Sequence, residues 1–534
     1  MKILLIGINS KYIHPAAGLF QIAANSKFPV SIREFSIKDS NESILGKMEA
    51  DDFELIGFSV YIWNIEKVKE VIKAFPKEVT FLLGGPEASH RPELLHYDKR
   101  IKYIIKNEGE DAFNQLLEHL CGLRPVASVA NLYYLEEGVI KYTFDALPDL
   151  KNIRHDLTLI KDFKNRVVYL EGSRGCPFSC TYCLSSLDKK VRFFDFEKLK
   201  EEILFVMERK APTVKFLDRT FNVDQNKMRE IIRFLRDHDN NITVFQFEIV
   251  GDLLEEETIE LLQTVRRGQL RFEIGVQSTN PTVTRAVRRI QNFEKLRENV
   301  LKIKDRTIIH LDLIAGLPHE DKESFIRTFN ETFLIFPDEL QLGFLKELQG
   351  TDISLTKTRH GYRFSEKPPY EIEFNSYLSQ DDLEEIRIVE GALNKYYNSG
   401  AFPKTMEFLF QTRKLDPYRT FLKIGRNFDI KKAKGMQPDT VALKLYESLA
   451  EGEDEDLLFV IKQDYLFKPL KPKVWWDRTV TREERKEVYL KFIKMHPELN
   501  LEILYRYAHL ERAGKRYFLV IYKPLAAYFL DDSV

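Results

Sequence analysis

Cys176, Cys180 and Cys183 fall within eight consecutive residues, Gly175-Cys-Pro-Phe-Ser-Cys-Thr-Tyr-Cys183, and are three of only four cysteines in a chain of 534 residues. They follow an apolar, strand-like run, so they lie on a loop from which three thiolates can turn toward one inorganic centre. In a chain otherwise poor in cysteine this is a metal-cluster loop. Three ligands are one short of a closed site, because structural zinc and a plain electron-transfer 4Fe-4S cluster each usually take four. A cube held by three thiolates leaves one iron open. The competing reading is structural zinc, or a ferredoxin-like cluster, completed by Cys121 or by a histidine such as His155.

The loop resembles the C-x-x-x-C-x-aromatic-C signature of the radical S-adenosylmethionine (SAM) enzymes, with Tyr182 in the aromatic slot. The resemblance implies a 4Fe-4S cluster on Cys176, Cys180 and Cys183 whose open iron chelates the methionine part of SAM. It also implies one-electron cleavage of the sulfonium to a 5'-deoxyadenosyl radical that takes a hydrogen atom from a substrate. A one-electron donor such as flavodoxin or ferredoxin is then required.

Strand-like runs at 166–170, 213–217, 244–247, 270–275, 308–313 and 340–345 alternate with amphipathic helices. Six such units predict a partial (β/α)6 barrel of the TIM type over 163–370, with working groups at the carboxyl ends of the strands. The cysteine loop directly follows the first strand and so belongs to that mouth. After the second strand, Asp218-Arg-Thr-Phe-Asn222 resembles the stretch that borders the SAM methionine moiety, without the Gly-Gly-Glu form of other members. Glu248 lies on the third strand and Glu273 on the fourth, within Glu273-Ile-Gly-Val-Gln277-Ser278, which is close to the family's Gly-x-Gln-Ser phrase. Carboxylate and amide groups suit the ribose hydroxyls and the ammonium of SAM, both of which offer donors. Pairing of Glu273 with Arg271 is the structural alternative. Arg285, Arg288 and Arg289 follow, and the resemblance implies an arginine here, taken as Arg289, on the SAM carboxylate. Asp312-Leu-Ile-Ala-Gly316-Leu-Pro-His-Glu320 resembles Asp-x-Ile-x-Gly-Leu-Pro-Gly-Glu. That match implies that Gly316 lets the backbone pass close to adenine, with Ile314 and Leu317 as apolar walls. His319 replaces a glycine there and could handle a substrate or a proton.

Upstream, apolar runs at 2–7, 30–37, 55–60, 79–85 and 101–105, with helical candidates at 17–24, 64–75 and 111–120, predict a doubly wound Rossmann-like α/β domain over 1–125. A linker is expected over 126–162. Ligands of such sheets sit beyond the carboxyl ends of the strands, where Ser59, Gly84-Gly85-Pro-Glu87 and Glu108-Gly109-Glu110 fall. These turns resemble the cobalamin-binding domain that precedes the radical core in one branch of the family. The resemblance implies that Ser59, Gly84, Gly85, Glu108 and Gly109 border cobalamin. His14 does not match the Asp-x-His-x-x-Gly motif that supplies an axial histidine, so cobalt would have no protein imidazole. A domain that kept the fold and lost the cofactor is the alternative.

Residues 371–534 resemble the carboxyl-terminal domain of an uncharacterised cobalamin-type branch. A mostly helical cap is expected, with helices at 377–397, 438–449 and 482–496, a solvated loop at 451–456, and Trp475 and Trp476 of Val474-Trp-Trp-Asp-Arg478 in the core. Lys and Arg number 81 against 82 Asp and Glu, a net charge of −1, which argues against a nucleic-acid partner. No stretch reaches the roughly 20 apolar residues that cross a bilayer, and the first residues are too short for a signal-peptide core. A soluble, cytoplasmic enzyme is expected, acting on a small or lipid-like molecule. With cobalamin, the implied chemistry is methylation of an unactivated centre. Without it, the implied chemistry is a radical rearrangement, oxidation or ring closure, and a non-catalytic iron-sulfur sensor is the reading from another class.

Overall fold

The five apolar runs of the amino-terminal third are strands in the computed structural model, which describes residues 1–427, 435–469, 473–476, 480–513 and 516–531. They are β1 (Ile3–Asn9), β2 (Val30–Ser36), β3 (Leu55–Ser59), β4 (Thr80–Gly84) and β5 (Ile101–Ile105), paired in parallel in the order β2-β1-β3-β4-β5. Alternation splits their side chains between two cores. Leu4, Ile6 and Ile8 of β1 pack with α2 (Asn41–Glu49) and α3 (Ile65–Ala74), whereas Ile3 and Leu5 pack with α1 (Ala17–Asn25) and α5 (Glu110–Leu120). Helices on both faces are what strands with near-continuous apolar sequence require. A short helix, α4 (Pro86–Ser89), follows β4. The stretch read as a linker supplies β6 (Leu132–Glu136) and β7 (Val139–Tyr142), which extend the sheet antiparallel beyond β5. Their alternation is masked by tyrosines on both faces, Tyr133 and Tyr134.

The second sheet runs β8 (Val168–Leu170), β11 (Thr213–Phe216), β12 (Val244–Ile249), β13 (Leu270–Gln277), β14 (Ile308–Ala315) and β15 (Glu339–Phe344), parallel from β8 to β14. A two-stranded ladder of β9 (Ser173–Arg174) and β10 (Arg192–Phe193) brackets the cysteine loop. The intervening helices are α6 (Phe196–Glu208), α7 (Gln225–Asp237), α8 (Glu256–Leu262), α9 (Pro281–Ala286), α10 (Phe293–Ile303) and α11 (Lys322–Phe333), with α12 (Asp352–Leu355) after β15. Side chains Asp195, Asp224, Asn280 and Asn292 cap α6, α7, α9 and α10. On β13, Leu270, Phe272, Ile274 and Val276 are buried while Arg271, Glu273, Gly275 and Gln277 are half-buried on the opposite face. That face lines the inside of the partial barrel.

Two compact units result, Met1–Asp321 with Gly343–Ser379, and Lys322–Leu342 with Gln380–Val534. The second unit has helices Gln380–Leu393, Pro417–Arg426, Pro438–Leu449, Glu455–Leu466 and Arg482–Met495, and a three-stranded antiparallel sheet over Ala508–Asp531. Phe333 packs edge-on to Phe410 and Phe421 in its interior. Trp476 packs against Leu466, Phe518 and Val520 and donates its indole N–H to Glu511 at 2.8 Å, a core role. Asp477 and Arg478 lie outside the described residues. Among the described residues no helix is long and apolar enough to cross a membrane.

Candidate active site at the barrel mouth

The chain turns sharply after β8, and the turn is fixed from both sides. Gly175 has φ +92°, and a Cβ on it would fall on the Lys190 carbonyl, so only glycine fits. Asp218, at the end of β11, accepts the Gly172 N–H at 2.8 Å and the Ser173 hydroxyl at 2.6 Å. Burial pushes its carboxyl up to about 6 despite those bonds. The loop itself is held by backbone bonds: Cys176 N–H to Asp188 at 2.8 Å, Thr181 N–H to Val287 at 3.1 Å, and Ile353 N–H to the Thr181 carbonyl at 3.1 Å.

All three thiols are free, with Cys176 and Cys180 buried and Cys183 half-buried. Cys176 Sγ lies 3.6 Å from Thr220 Oγ1, and Cys180 Sγ lies 4.0 Å from Arg289 Nη1. Burial, with the neighbouring sulfurs of Cys183 and Cys180, raises the Cys176 thiol. Among the described residues no three His, Cys, Asp or Glu side chains are arranged around a single metal ion. Three free thiols on one loop match the donor set of a cube, which takes each thiolate on its own iron. The fourth ligands considered above do not complete a closed site. His155 has Nδ1 2.8 Å from Glu202 and Nε2 3.7 Å from Glu171. Cys121 ends α5, one helix of about 16 Å away from the turn that faces the mouth.

Inside the barrel, Glu273 accepts from Lys215 Nζ at 2.6 Å and from the Gln246 amide, while Glu248 lies 3.7 Å from Lys215 and 4.0 Å from Arg219. Burial pushes the Glu248 carboxyl up. Arg271 turns instead to His310, 2.8 Å away, whose other nitrogen is 3.0 Å from Asp312. Gln277 carries a positive φ of 65°, and its buried amide oxygen has no hydrogen-bond partner. Such an orphan wants a donor, as an ammonium or a ribose hydroxyl would be. Arg289 spreads over the Gly275 carbonyl, Gln291 and Cys180, and burial raises the Tyr182 hydroxyl beside it. Gly316 is covered: a Cβ there would meet Ile372 at 2.7 Å, and its carbonyl accepts from Tyr362 and Asn375. Ile314 is half-buried on the inner face, and Leu317 is in the core. His319 is exposed, its ring 4.9 Å from that of Tyr377 and 5.5 Å from that of His360.

Ser59, Gly84, Gly85, Glu108 and Gly109 all line one cavity of about 400 Å³ beyond the strand ends of the first domain. Its floor is apolar (Leu5, Gly57, Leu82, Ile105), α1 and α5 contribute Gly18, Ile22 and Phe113, and its rim takes Tyr169, Glu171 and Arg174 from the start of the cysteine turn. Gly85, with φ +94°, lets the chain pass where a Cβ would sit 2.8 Å from the Val60 carbonyl. A deep apolar slot with a polar rim suits a flat heteroaromatic group bearing a polar tail. Arg174 bridges the two domains, with Glu108 at 2.8 Å, Glu110 at 2.7 Å and Glu171 at 2.7 Å, and Arg192 also holds Glu108. Burial alone would lower the His155 imidazole and raise Glu171. Their mutual contact, with Glu202 and Arg174, reverses both, to about 9 and about 2. His14 Nδ1 meets the Tyr169 hydroxyl at 2.7 Å at the same rim.

Lys215, Gln246 and His310 were not among the residues expected from the sequence. Gln246 lies two residues along its strand from Glu248, His310 one register step across the sheet from Glu273, and Lys215 opposite Gln246.

Residues 170–332 match the model of the radical SAM superfamily. That stretch is a radical SAM domain. Residues 3–117 match a B12 binding domain and 358–516 a domain of unknown function. An uncharacterized methyltransferase of Pyrococcus horikoshii is 26% identical over 201 residues, 35% of this chain and 44% of that one. The 2-(S-pantetheinyl)-carbapenam-3-carboxylate methyltransferase of Streptantibioticus cattleyicolor is 25% identical over 361 residues, 61% of this chain and 52% of that one. The chain thus spans about half the length of the curated relatives it matches. The structure of OxsB, a cobalamin-dependent SAM radical enzyme, superposes with a TM-score of 0.61 at 13% identity, over 87% of this chain and 80% of that one. At that identity the likeness is one of fold.

Proposed function

We propose that this radical SAM protein is a cobalamin-dependent methyltransferase acting on an unactivated centre of a small molecule. The observation that carries the reading is the cavity, whose five cobalamin-candidate residues share a rim with Tyr169, Glu171 and Arg174, the residues that lead into the cysteine turn. A corrin site opening directly onto a cluster loop is the arrangement such chemistry needs. Bound there, the three groups would supply an electron to split SAM, the resulting 5'-deoxyadenosyl radical, and a methyl group carried on cobalt.

The chain's own residues hold and shield. Cys176, Cys180 and Cys183 anchor the cluster, Asp218 fixes the turn before them, and Arg289 places positive charge at the Cys180 sulfur. Gln277, with Glu248 and Glu273, offers acceptors to SAM from the inner barrel wall. Ser59, Gly84, Gly85, Glu108 and Gly109, which line the cavity, would hold the corrin and its tail. Anaerobic reconstitution with iron and sulfide, then SAM and dithionite, should release 5'-deoxyadenosine. Protein purified with cobalamin supplied should carry corrin absorbance beyond the iron-sulfur bands. A loaded cluster that never cleaves SAM sinks the enzymatic reading, and a spectrum wholly accounted for by iron and sulfur sinks methyl transfer.

A further inference from the structure

The two most exposed large hydrophobic side chains among the described residues are Ile290, at 87%, and Leu355, at 75%. Both flank the cysteine loop. Ile290 follows Arg289, whose guanidinium reaches the Cys180 sulfur, and Leu355 lies two residues after Ile353, whose N–H bonds the Thr181 carbonyl. A third, Leu187, is 48% exposed four residues beyond Cys183. Scattered exposed apolar residues, such as Leu123 at 73% after α5, need no explanation, but the two most exposed of all beside one loop mark an interaction surface.

The charge there is one-sided. The segments 187–190, 285–290 and 352–360 carry seven Lys or Arg against two Asp, in a chain whose net charge is −1. Lys189, Lys190, Arg285 and Arg359 are exposed, while Arg288 and Lys357 pair with Asp352 and Glu347. An apolar centre inside a basic rim is the form of a protein interface that selects an acidic partner. These segments hold no Phe, Tyr or Trp, so they lack the stacking platform that single-stranded nucleic acid uses.

We propose that this face docks an acidic one-electron carrier protein of the flavodoxin or ferredoxin class, which rests on the radical SAM reading above. The carrier gives up one electron, the cysteine-loop site gains it, and no bond or proton changes hands at the interface. The face lies one residue by backbone contact from Cys180 and within a few residues of Cys183, so a partner seated there is brought up to the sulfurs from outside.

The test uses the full reconstituted chain with a flavodoxin and with a bacterial ferredoxin. Wild-type protein should bind one of them more weakly as salt rises, and zero-length carbodiimide crosslinks should join Lys189 or Lys190 to carrier carboxylates. The pairs Ile290→Glu with Leu355→Glu, and Lys189→Glu with Lys190→Glu, should each weaken binding about tenfold or more. Carrier-driven 5'-deoxyadenosine should fall in parallel while the dithionite-driven yield stays at the wild-type level. Neither carrier binding, affinities within about twofold of wild type in both variants, or crosslinks confined to another face would overturn the proposal. So would tRNA that binds this face and displaces the carrier. Failure of wild-type protein with dithionite would instead defeat the enzymatic reading, and the binding data would still decide the docking face.

Discussion

Gly175 shows how a single atom can decide whether the thiolates converge. A methyl group there meets the Lys190 carbonyl and demands a left-handed backbone from an L-residue, a conformational cost of about 1–2 kcal/mol before any clash. Gly175→Ala should fold, since the strain is local, and should take up little iron and sulfide on reconstitution. Full loading in that variant would show that the loop tolerates a different path. Asp218 works one step earlier. Its two oxygens accept from different groups, so Asp218→Ala leaves two buried donors unpaired, at a cost of about 2–3 kcal/mol. Asp218→Asn keeps one acceptor and removes a buried charge. Because burial raises this carboxyl from 3.8 to about 6, the fold favours its protonated form. The stability it contributes is complete below 3.8 and fades as pH rises through about 6. Denaturation curves should therefore be flatter over that range for Asp218→Asn than for wild type.

Among the elements, those that position the site were legible where burial sets a simple pattern. The strands of both sheets were readable as short apolar or alternating runs because parallel strands covered on both faces have little freedom of composition. The hairpin β6-β7 was not, because Tyr133 and Tyr134 are half-buried on opposite faces and hide the alternation. The partners of Glu273 were hidden for another reason. Alternation offered Arg271, but register brought Lys215 from β11 and Gln246 from β12 within reach and gave Arg271 to His310, and register is not written in any one strand. The ionic chain Glu202-His155-Glu171-Arg174 joins α6, the region before β8 and the cysteine turn. His155 is raised from 6.5 to about 9, so its share of stability is whole below 6.5 and lost as pH climbs through 9. Glu171 is held from 4.5 down to about 2, so its share is whole above 4.5 and lost toward 2. The chain is thus strongest between about 4.5 and 6.5. Glu202→Gln should lower thermal stability by an amount on the order of 1–2 kcal/mol near pH 6 and by less at pH 9.5, measured by calorimetry at both.

For the molecule as a whole, the question is whether the first domain holds a cofactor or only keeps a shape, and the cavity makes the two separable. Gly18 lies on α1 with its missing side chain directed at open space, the nearest atom to a Cβ being the Tyr61 hydroxyl at 3.8 Å. Leu19, its neighbour, is part of the core. Replacing a helical glycine by a larger residue gains about 0.5–1 kcal/mol of helix propensity, so Gly18→Trp should fold at least as stably as wild type. Its indole would fill the slot between the sheet floor at Gly57 and the wall at Phe113. If the slot takes the cofactor's flat tail, this variant should bind the three-thiolate cluster normally and lose corrin absorbance, with hydroxocobalamin affinity in equilibrium dialysis falling by about a hundredfold or more. Dithionite-driven 5'-deoxyadenosine release should persist, because the cysteine turn and inner barrel are untouched, while methyl transfer should vanish. Retained cobalamin in Gly18→Trp would place the corrin elsewhere, and cobalamin absent from wild type as well would leave the domain a scaffold that orients Arg174 and Glu108.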